Sequence, residues 1–311
     1  MIGQEDLRAL LTGSPADFAR RLRELPADGR RQTVRFLMAV LEDASEAVSS
    51  RRAAGRVLSY VGDPRVLPLA PAMMRVAPGP FLMGTRSEDV LPLLQRHQQL
   101  GLRREWLLKE TPRHEVSLPE FEIGRCPVTN LEYKRFVDDA QYQQPRYWQG
   151  TSFPDGKANH PVWGVSWGDA VAYCQWLGAQ TGVQYRLPTE AEWEKAARGT
   201  DGREYPWGDA FDPGRCNSAL SGIGDTTPVG IFPDGASLCG ALDMAGNVEE
   251  WTSDWFYPYL GFDQGDLDFS HETWVCRGGA FDGVDTLRCA RRHGQYASDQ
   301  HIGFRLARSV T

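Results

Sequence analysis

The deciding stretch of this sequence, as we call it below, is Gly246-Asn247-Val248-Glu249-Glu250-Trp251-Thr252-Ser253-Asp254-Trp255. It places two tryptophans and three carboxylates within ten residues, shortly after Asp243. Gly246 and Asn247 both tolerate positive φ and therefore predict a turn. The β-branched and turn residues that follow disfavour a helix, so we expect a buried extended or irregular segment after the turn. Composition alone favours a structural interpretation, in which the tryptophans anchor a core beside a solvated acidic face.

Four further motifs flank this stretch. They are Arg186-Leu187-Pro188-Thr189-Glu190-Ala191-Glu192-Trp193-Glu194 and Tyr205-Pro206-Trp207-Gly208 upstream, and Arg277-Gly278-Gly279-Ala280-Phe281 and Gly303-Phe304-Arg305 downstream. In this order, the five motifs resemble those of the formylglycine-generating enzyme family, also called the sulfatase-modifying factors, over residues 73–308. The resemblance implies an α+β domain with a high irregular content, a variant of the C-type lectin fold.

The composition sets limits on the class of protein. A hydrophobic content of 41% and a charged content of 24% are typical of a soluble globular protein. A net charge of −7 and a pI near 5.5 argue against a general nucleic-acid or membrane-surface binder. The first residues show no signal-peptide pattern, and no apolar run approaches the roughly 18 residues of a membrane span. Six cysteines are too few for a disulfide scaffold, so we expect reduced thiols in the cytoplasm.

Residues 1–70 differ from the rest of the chain. They contain no tryptophan, are rich in Leu, Ala, Arg and Glu, and predict a small all-helical leader before a main domain at 71–311. The apolar spacing indicates helical faces at Leu7, Leu10 and Leu11 and at Phe18, Leu22 and Leu25, and further helices at 33–41 and 47–61. The segment 52–65 is similar to part of a HEAT-type repeat. The leader either docks a protein partner or serves as a structural cap.

The main domain alternates between strands, helices and loops. Strands are predicted at 74–76, 114–118, 274–279 and 303–307, and helices at 131–137, 168–179 and from Thr189 onward. Thr189 and Glu192 form a capping-box pattern, which gives the acidic residues of this third helix a structural explanation. Residues 87–108 form a Leu-rich helical insertion, in which His97 is expected at the surface without partners.

The family resemblance implies a structural calcium site in the deciding stretch. Ca²⁺ prefers carboxylate and carbonyl oxygens on a bent chain. The ligands implied are the side chains of Asp243 and Glu250 and the carbonyls of Gly246 and Val248. A second family calcium site begins at Asn217, but the loop that should complete it is shorter here.

The resemblance also raises copper chemistry. Aerobic family enzymes oxidise a substrate cysteine within Cys-x-Pro-x-Arg to formylglycine, using two cysteines five residues apart, because soft thiolates select Cu(I). Cys289 in Arg288-Cys289-Ala290-Arg291 matches one of them, but Val284 stands where the other belongs. Related iron enzymes need histidines from a helical N-terminal domain, and residues 1–96 contain none. We therefore expect a catalytically degenerate member, with a copper-dependent oxidase that uses Cys289 as the alternative.

The C-terminal segment 281–301 is rich in side chains that make contacts, and lectin-type folds display ligand-binding residues on such segments. Some members of the family are the variable proteins of diversity-generating retroelements, with their variable residues in this window. We predict a module that binds a protein or small-molecule ligand here, and an ordinary solvated loop is the alternative. The predicted contact residues are Phe281, Asp282, Asp285, Arg288, Arg291, His293, Gln295, Tyr296, Asp299 and His301.

Overall fold

The computed structural model describes residues 14–265, 267–269, 272–283, 287–296 and 301–310. The predicted helical face at Leu7, Leu10 and Leu11 lies outside this part of the chain. The helices, apart from short 3₁₀ turns, are α1 Pro15–Glu24, α2 Ala27–Glu42, α3 Val48–Val61, α4 Val90–Arg96, α5 Arg104–Leu108, α6 Asn130–Ala140, α7 Trp167–Thr181 and α8 Glu190–Arg198. None of the described helices combines the length and apolar character that crossing a membrane requires.

Three small sheets accompany these helices. Their strands are β1 Met73–Val76, β2 Gly79–Met83, β3 His114–Leu118, β4 Phe121–Gly124, β5 Glu249–Trp255, β6 Trp274–Arg277, β7 His293–Gln295, β8 Ile302–Gly303 and β9 Ala307–Ser309. β1 and β9 flank β4 in an antiparallel sheet, and β2 pairs with β3. The third sheet has the order β7-β6-β5-β8, in which β8 runs parallel to β5.

The helical leader is packed onto the main domain. Helices α1 to α3 share an apolar cluster that Ile231 and Phe232 of the main domain complete. Arg51 donates to the Ile231 carbonyl at 2.8 Å, and Asn159 donates to the Gly55 carbonyl at 2.9 Å. Both predicted helices at 33–41 and 47–61 are present as α2 and α3. The leader therefore acts at least as a structural cap of the domain.

Capping boxes fix the starts of α6, α7 and α8. Thr189 caps α8 by accepting from the Glu192 N–H, and the Glu192 carboxylate accepts from the Thr189 N–H, as predicted. The same arrangement starts α6 at Thr129 and α7 at Ser166. Each box satisfies backbone N–H groups that the first turn of a helix leaves without partners. The polar residues before these helices are thus explained by local structure.

The deciding stretch forms the predicted turn and then β5. Gly246 has φ +81°, and a Cβ there would lie 2.1 Å from the Asn217 carbonyl oxygen, so this position requires glycine. Trp251 is fully buried, whereas Trp255 is 42% exposed and stacks on Trp274. The expected solvated acidic face is wrong, because Glu250 is completely buried against an arginine partner.

Two further expectations need correction. The predicted closing strand at 303–307 is divided into β8 and β9, because Phe304 and Leu306 between them are buried in the main core. His97 is not an exposed residue without partners: it is 8% exposed, and its Nε2 lies 2.8 Å from Oε1 of Glu204. The insertion is therefore held against the domain by a contact between residues far apart in the sequence.

Candidate functional site

A cleft of about 310 Å³ lies between the end of the 87–108 insertion, which contains helix α5, and the C-terminal segment 281–301. One wall comes from the insertion and the other from the residues around β7, with Phe256 between them. The lining residues are Leu102, Trp106, Lys109, Glu110, Phe256, Arg288, Arg291, Arg292, His293 and Gly294. This cleft, hereafter the C-terminal cleft, thus contains Arg288, Arg291 and His293 of the predicted contact residues.

Buried ion pairs hold the walls of the C-terminal cleft. Both guanidinium Nη atoms of Arg288 donate to the Glu110 carboxylate, at 2.8 and 2.6 Å, and so join the C-terminal segment to the insertion. Arg292 donates to both oxygens of Glu190, and Arg291 pairs with Glu249. Paired guanidinium and carboxylate groups of this kind are well suited to fixing side-chain geometry.

Glu190 shows how strongly these pairs are coupled. Burial alone would raise the pKa of its carboxyl, but Arg292 and Arg277 outweigh that effect and hold the pKa below its ordinary value. Arg277 also donates to Glu194, and all three side chains are almost inaccessible to solvent. Arg292 thus connects the cleft to a compensated ionic core formed by Glu190, Arg277 and Glu194.

Lys109 differs from the arginines in the cleft. Its Nζ lies 5.6 Å from the ring centroids of both Phe256 and Phe269. Within the described residues, no carboxylate oxygen lies within 4 Å of this ammonium group. Arg292 also lies over the Phe256 ring, at 4.8 Å from its centroid. The cleft thus combines an aromatic wall with a cation for which the described part of the chain supplies no carboxylate partner. This arrangement suits a ligand that carries an anionic group on an aromatic or apolar body.

The other predicted contact residues occupy different places. Phe281, Asp282 and His301 form a second group, in which the His301 ring lies 4.3 Å from Phe281 and 3.2 Å from an Asp282 oxygen. Phe281 is only 9% exposed, so it offers little contact area. Gln295 ends β7 and Tyr296, which follows it, is 76% exposed. Asp285 and Asp299 lie outside the described residues.

Cys289 is buried away from the C-terminal cleft. It is fully inaccessible and packs in a core cluster with Trp193 and Met244, and this burial raises the pKa of its thiol to about 12. Cys276 lies in a separate cluster with Trp251, and both cysteines are free. The region the structure describes holds no group of three or more His, Cys, Asp or Glu residues arranged to hold a metal ion. A buried thiol with a high pKa does not favour the thiolate that Cu(I) binding requires.

The implied calcium ligands are neighbours in space. The Asn247 N–H donates to the Asn217 carbonyl at 2.9 Å, which places Asn217, the start of the second implied site, beside Gly246 of the first. However, Glu250 accepts from Trp193 and through both oxygens from Arg305, so a cation would share this carboxylate with Arg305. One oxygen of Asp243 accepts from the Gly230 N–H at 2.8 Å. With Val248, these residues fit calcium only in part.

Sequence reasoning missed the insertion side of the cleft. Lys109, Glu110 and Trp106 belong to no motif, and Phe256 follows the deciding stretch directly. The one available signal was the presence of charged and aromatic residues at the end of a Leu-rich insertion. That signal does not say which surface the insertion faces.

Comparisons with known proteins agree with this architecture. Residues 62–310 match the family described as the sulfatase-modifying factor enzyme 1-like domain. Hercynine oxygenase of Mycolicibacterium thermoresistibile is 39% identical over 187 residues, which cover 49% of this chain and 40% of that protein. The inactive C-alpha-formylglycine-generating enzyme 2 of Mus musculus is 33% identical over 239 residues, which cover 60% of this chain and 70% of that protein. The chain spans less than half the length of the hercynine oxygenases it matches.

Solved structures show the same fold. PvdO from Pseudomonas aeruginosa aligns with a TM-score of 0.62 and 27% identity, over 78% of this chain and 95% of that chain. Variable protein 1 of Treponema denticola aligns with a TM-score of 0.56 and 20% identity, over 76% and 94% of the two chains, and shows the fold alone. The prediction of an α+β, C-type-lectin-like domain that follows N-terminal helices in the sequence is confirmed.

Proposed function

This chain belongs to the family of sulfatase-modifying factor enzyme 1-like domains, and from that premise we propose that it is a recognition module without formylglycine-generating activity. In this proposal, the C-terminal cleft binds a ligand that carries an anionic group on an aromatic or apolar body. The ligand is a small molecule or the side chain of a protein partner. The single observation that carries the proposal is that the Nζ of Lys109, a residue of the C-terminal cleft, lies over the rings of Phe256 and Phe269, while the cleft's arginines are paired with carboxylates.

The state of the cysteines supports the loss of oxidase activity. The family's chemistry needs two thiolates that reach the substrate thiol, and this chain offers the inaccessible Cys289 alone, with Val284 at the other position. A relative named as inactive, at 33% identity, is a precedent for a member without the activity. The variable-protein hypothesis rests on the fold and on the position of the C-terminal segment.

The oxidase alternative has a direct test. The reduced protein is titrated anaerobically with Cu(I) against a calibrated chelator, and oxygen and a Cys-x-Pro-x-Arg peptide are then added. We expect no stoichiometric copper uptake and no change in the peptide mass, for the wild type and for Cys289→Ala alike. Copper uptake that Cys289→Ala abolishes, together with conversion of the peptide cysteine to formylglycine, would establish the oxidase and overturn the proposal.

Three further properties belong to the proposal. Calcium would bind at a first site made by Asp243, Gly246 and Val248, with Glu250 shared as described above, and a second site would begin at Asn217. The six free cysteines support the expected cytoplasmic location. The exposed surface of the helical leader would be available to a protein partner, while its apolar side is covered by the main domain.

A further inference from the structure

A second cavity lies on the other side of Arg288 and is separate from the C-terminal cleft. Its volume is about 330 Å³. It is lined by helix α4 of the 87–108 insertion, by residues before β3 and by the loop after α8. Five arginines line it, and we call it the arginine cavity: Arg86, Arg96, Arg113, Arg198 and Arg288. Of these, only Arg288 also lines the C-terminal cleft.

Four of the five arginines have a close carboxylate partner. The nearest nitrogen-to-oxygen distances are 3.0 Å for Arg86 with Asp89, 2.6 Å for Arg96 with Glu204, 2.7 Å for Arg198 with Glu194 and 2.6 Å for Arg288 with Glu110. Such distances are those of charge-assisted hydrogen bonds. These four guanidinium groups are therefore largely compensated by the protein itself.

Arg113 is the exception. Its nearest carboxylate is again Asp89, at 3.8 Å, and that carboxylate is already bonded to Arg86. The Arg113 Nε is buried and has no hydrogen-bond acceptor in the described part of the chain. Burial, together with the charges of Arg198 and Arg86, lowers the pKa of Arg113 below its ordinary value. A guanidinium still keeps its proton at neutral pH, so Arg113 brings to the cavity a positive charge with only a distant, shared carboxylate, although Asp209 and Glu204 also lie in the cavity wall.

We propose that the arginine cavity binds a tetrahedral oxyanion, the phosphate or sulfate group of a small molecule or of a modified side chain. Arg86, Arg113 and Arg198 reach the cavity from three different elements, which suits oxygens that point in several directions. Guanidinium groups bind phosphate through paired hydrogen bonds, and a doubly charged anion would balance Arg113 better than a carboxylate. The site shares no unpaired cation with the C-terminal cleft, so it does not depend on the proposed function.

The test is calorimetric titration of the whole chain with sodium phosphate at pH 7.5 and constant ionic strength. We expect saturable binding at one site in the wild type, weakened about tenfold in Arg113→Gln, a loss of about 1.4 kcal/mol. Arg35→Gln removes a positive charge from an exposed position on α2 and should leave phosphate affinity unchanged. Lys109→Gln should also leave it unchanged, because Lys109 lies in the other cleft.

A second variant keeps the proposal testable if Arg113→Gln fails to fold. Arg86 has a side chain that is 53% exposed, so Arg86→Gln should fold normally and weaken phosphate binding by a smaller factor. Circular dichroism verifies the fold of each variant. Phosphate affinity that is equal in the wild type, Arg113→Gln and Arg86→Gln, or the absence of saturable binding in the wild type, would overturn the proposal.

Three ligands distinguish the source of the oxyanion. Tighter binding of phosphoserine than of phosphate would support the site and identify a phosphomonoester as its ligand. Equal binding of the two would support the site and identify a free oxyanion as its ligand. Acetate is a planar carboxylate, so acetate binding as tightly as phosphate would contradict a preference for tetrahedral oxyanions. The phosphate titration and the peptide-oxidation test measure different properties. A failure of the phosphate site would therefore leave the proposed function untouched, and the reverse also holds.

Discussion

The ionic core beneath the deciding stretch and the cavities around the insertion use cations in opposite ways. In the core, Arg305 is completely buried and donates to both oxygens of Glu250, and Arg277 is equally buried between Glu190 and Glu194. In the cavities, Lys109 has no carboxylate within 4 Å among the described residues, and Arg113 has only a distant, shared one. Core cations thus meet their partners within the fold, whereas Lys109 and Arg113 lack a close carboxylate partner of their own among the described residues.

This difference separates structural charge from functional charge. A buried charge is costly unless it is paired, so removing one partner of a core pair leaves an uncompensated charge in the interior. A partly exposed cation in a cavity is hydrated when no ligand is present and can be altered with little loss of stability. Substitutions in the two regions should therefore affect different measurements, stability in the core and affinity in the cavities.

The largest effect is expected in the core. Glu250→Gln removes the charge that balances Arg305, and we expect a loss of about 3–5 kcal/mol in the free energy of unfolding. Equilibrium unfolding in urea measures it. Glu120→Gln is the matched control, because Glu120 pairs with Arg75 at the surface, where both side chains are partly exposed, and should cost less than about 1 kcal/mol. Equal losses in the two variants would contradict the comparison.

Glu132 is a buried carboxylate for which the described residues provide no cationic partner. Burial raises the pKa of its side chain from 4.5 to about 7, although hydrogen bonds from Thr129 oppose the shift. Because the folded state holds this proton more tightly than the unfolded state, the stabilising contribution of protonated Glu132 is lost as pH rises between these two values. The loss is on the order of 3 kcal/mol and constant above about pH 7.

The measurement is the stability difference between the wild type and Glu132→Gln across this pH range. Glutamine keeps the capping-box geometry without the ionisable group. We expect the wild type to lose stability relative to the variant as pH rises. A difference that does not change with pH would show that the Glu132 environment is more polar than its burial indicates.

Calcium should have a smaller effect, because Glu250 is already committed to Arg305. If the implied site binds Ca²⁺, excess calcium at pH 7 should stabilise the wild type by about 1–2 kcal/mol through mass action. Asp243→Asn should abolish this gain, and magnesium at the same concentration should not reproduce it, because Mg²⁺ demands a stricter geometry. Thermal unfolding measures the effect, and an equal calcium response in Asp243→Asn would exclude the site.

The sequence predicted the fold well because its motifs contain the residues that pair in the core. Glu190, Glu250, Arg277 and Arg305 all lie in motifs that were identified from the sequence, and their pairing fixes how those motifs assemble. The caps at Thr129 and Thr189 were equally predictable, since they depend on residues three positions apart. Local chemistry and ordered motifs are visible in one sequence.

The cavities could not be predicted from the sequence, because residues that are far apart along the chain form their walls. Glu110 and Arg288 form one wall although 178 positions separate them, and His97 finds Glu204 across 107 positions. No pattern of spacing indicates such pairs, so His97 was wrongly expected to be exposed. The C-terminal segment was identified as a contact region, but which of its side chains face a cleft follows only from the packing of the insertion.

Recognition of an anionic ligand by the C-terminal cleft through Lys109 is best tested by titrating isotopically labelled protein with benzoate and following the backbone amides of His293 and Gly294 by NMR. We expect saturable shifts at these amides, with affinity reduced about tenfold in Lys109→Gln. Affinity should be unchanged in Lys134→Gln, whose lysine pairs with Asp138 on α6. Shifts confined to other regions, or equal affinity in the wild type and Lys109→Gln, would contradict recognition through Lys109.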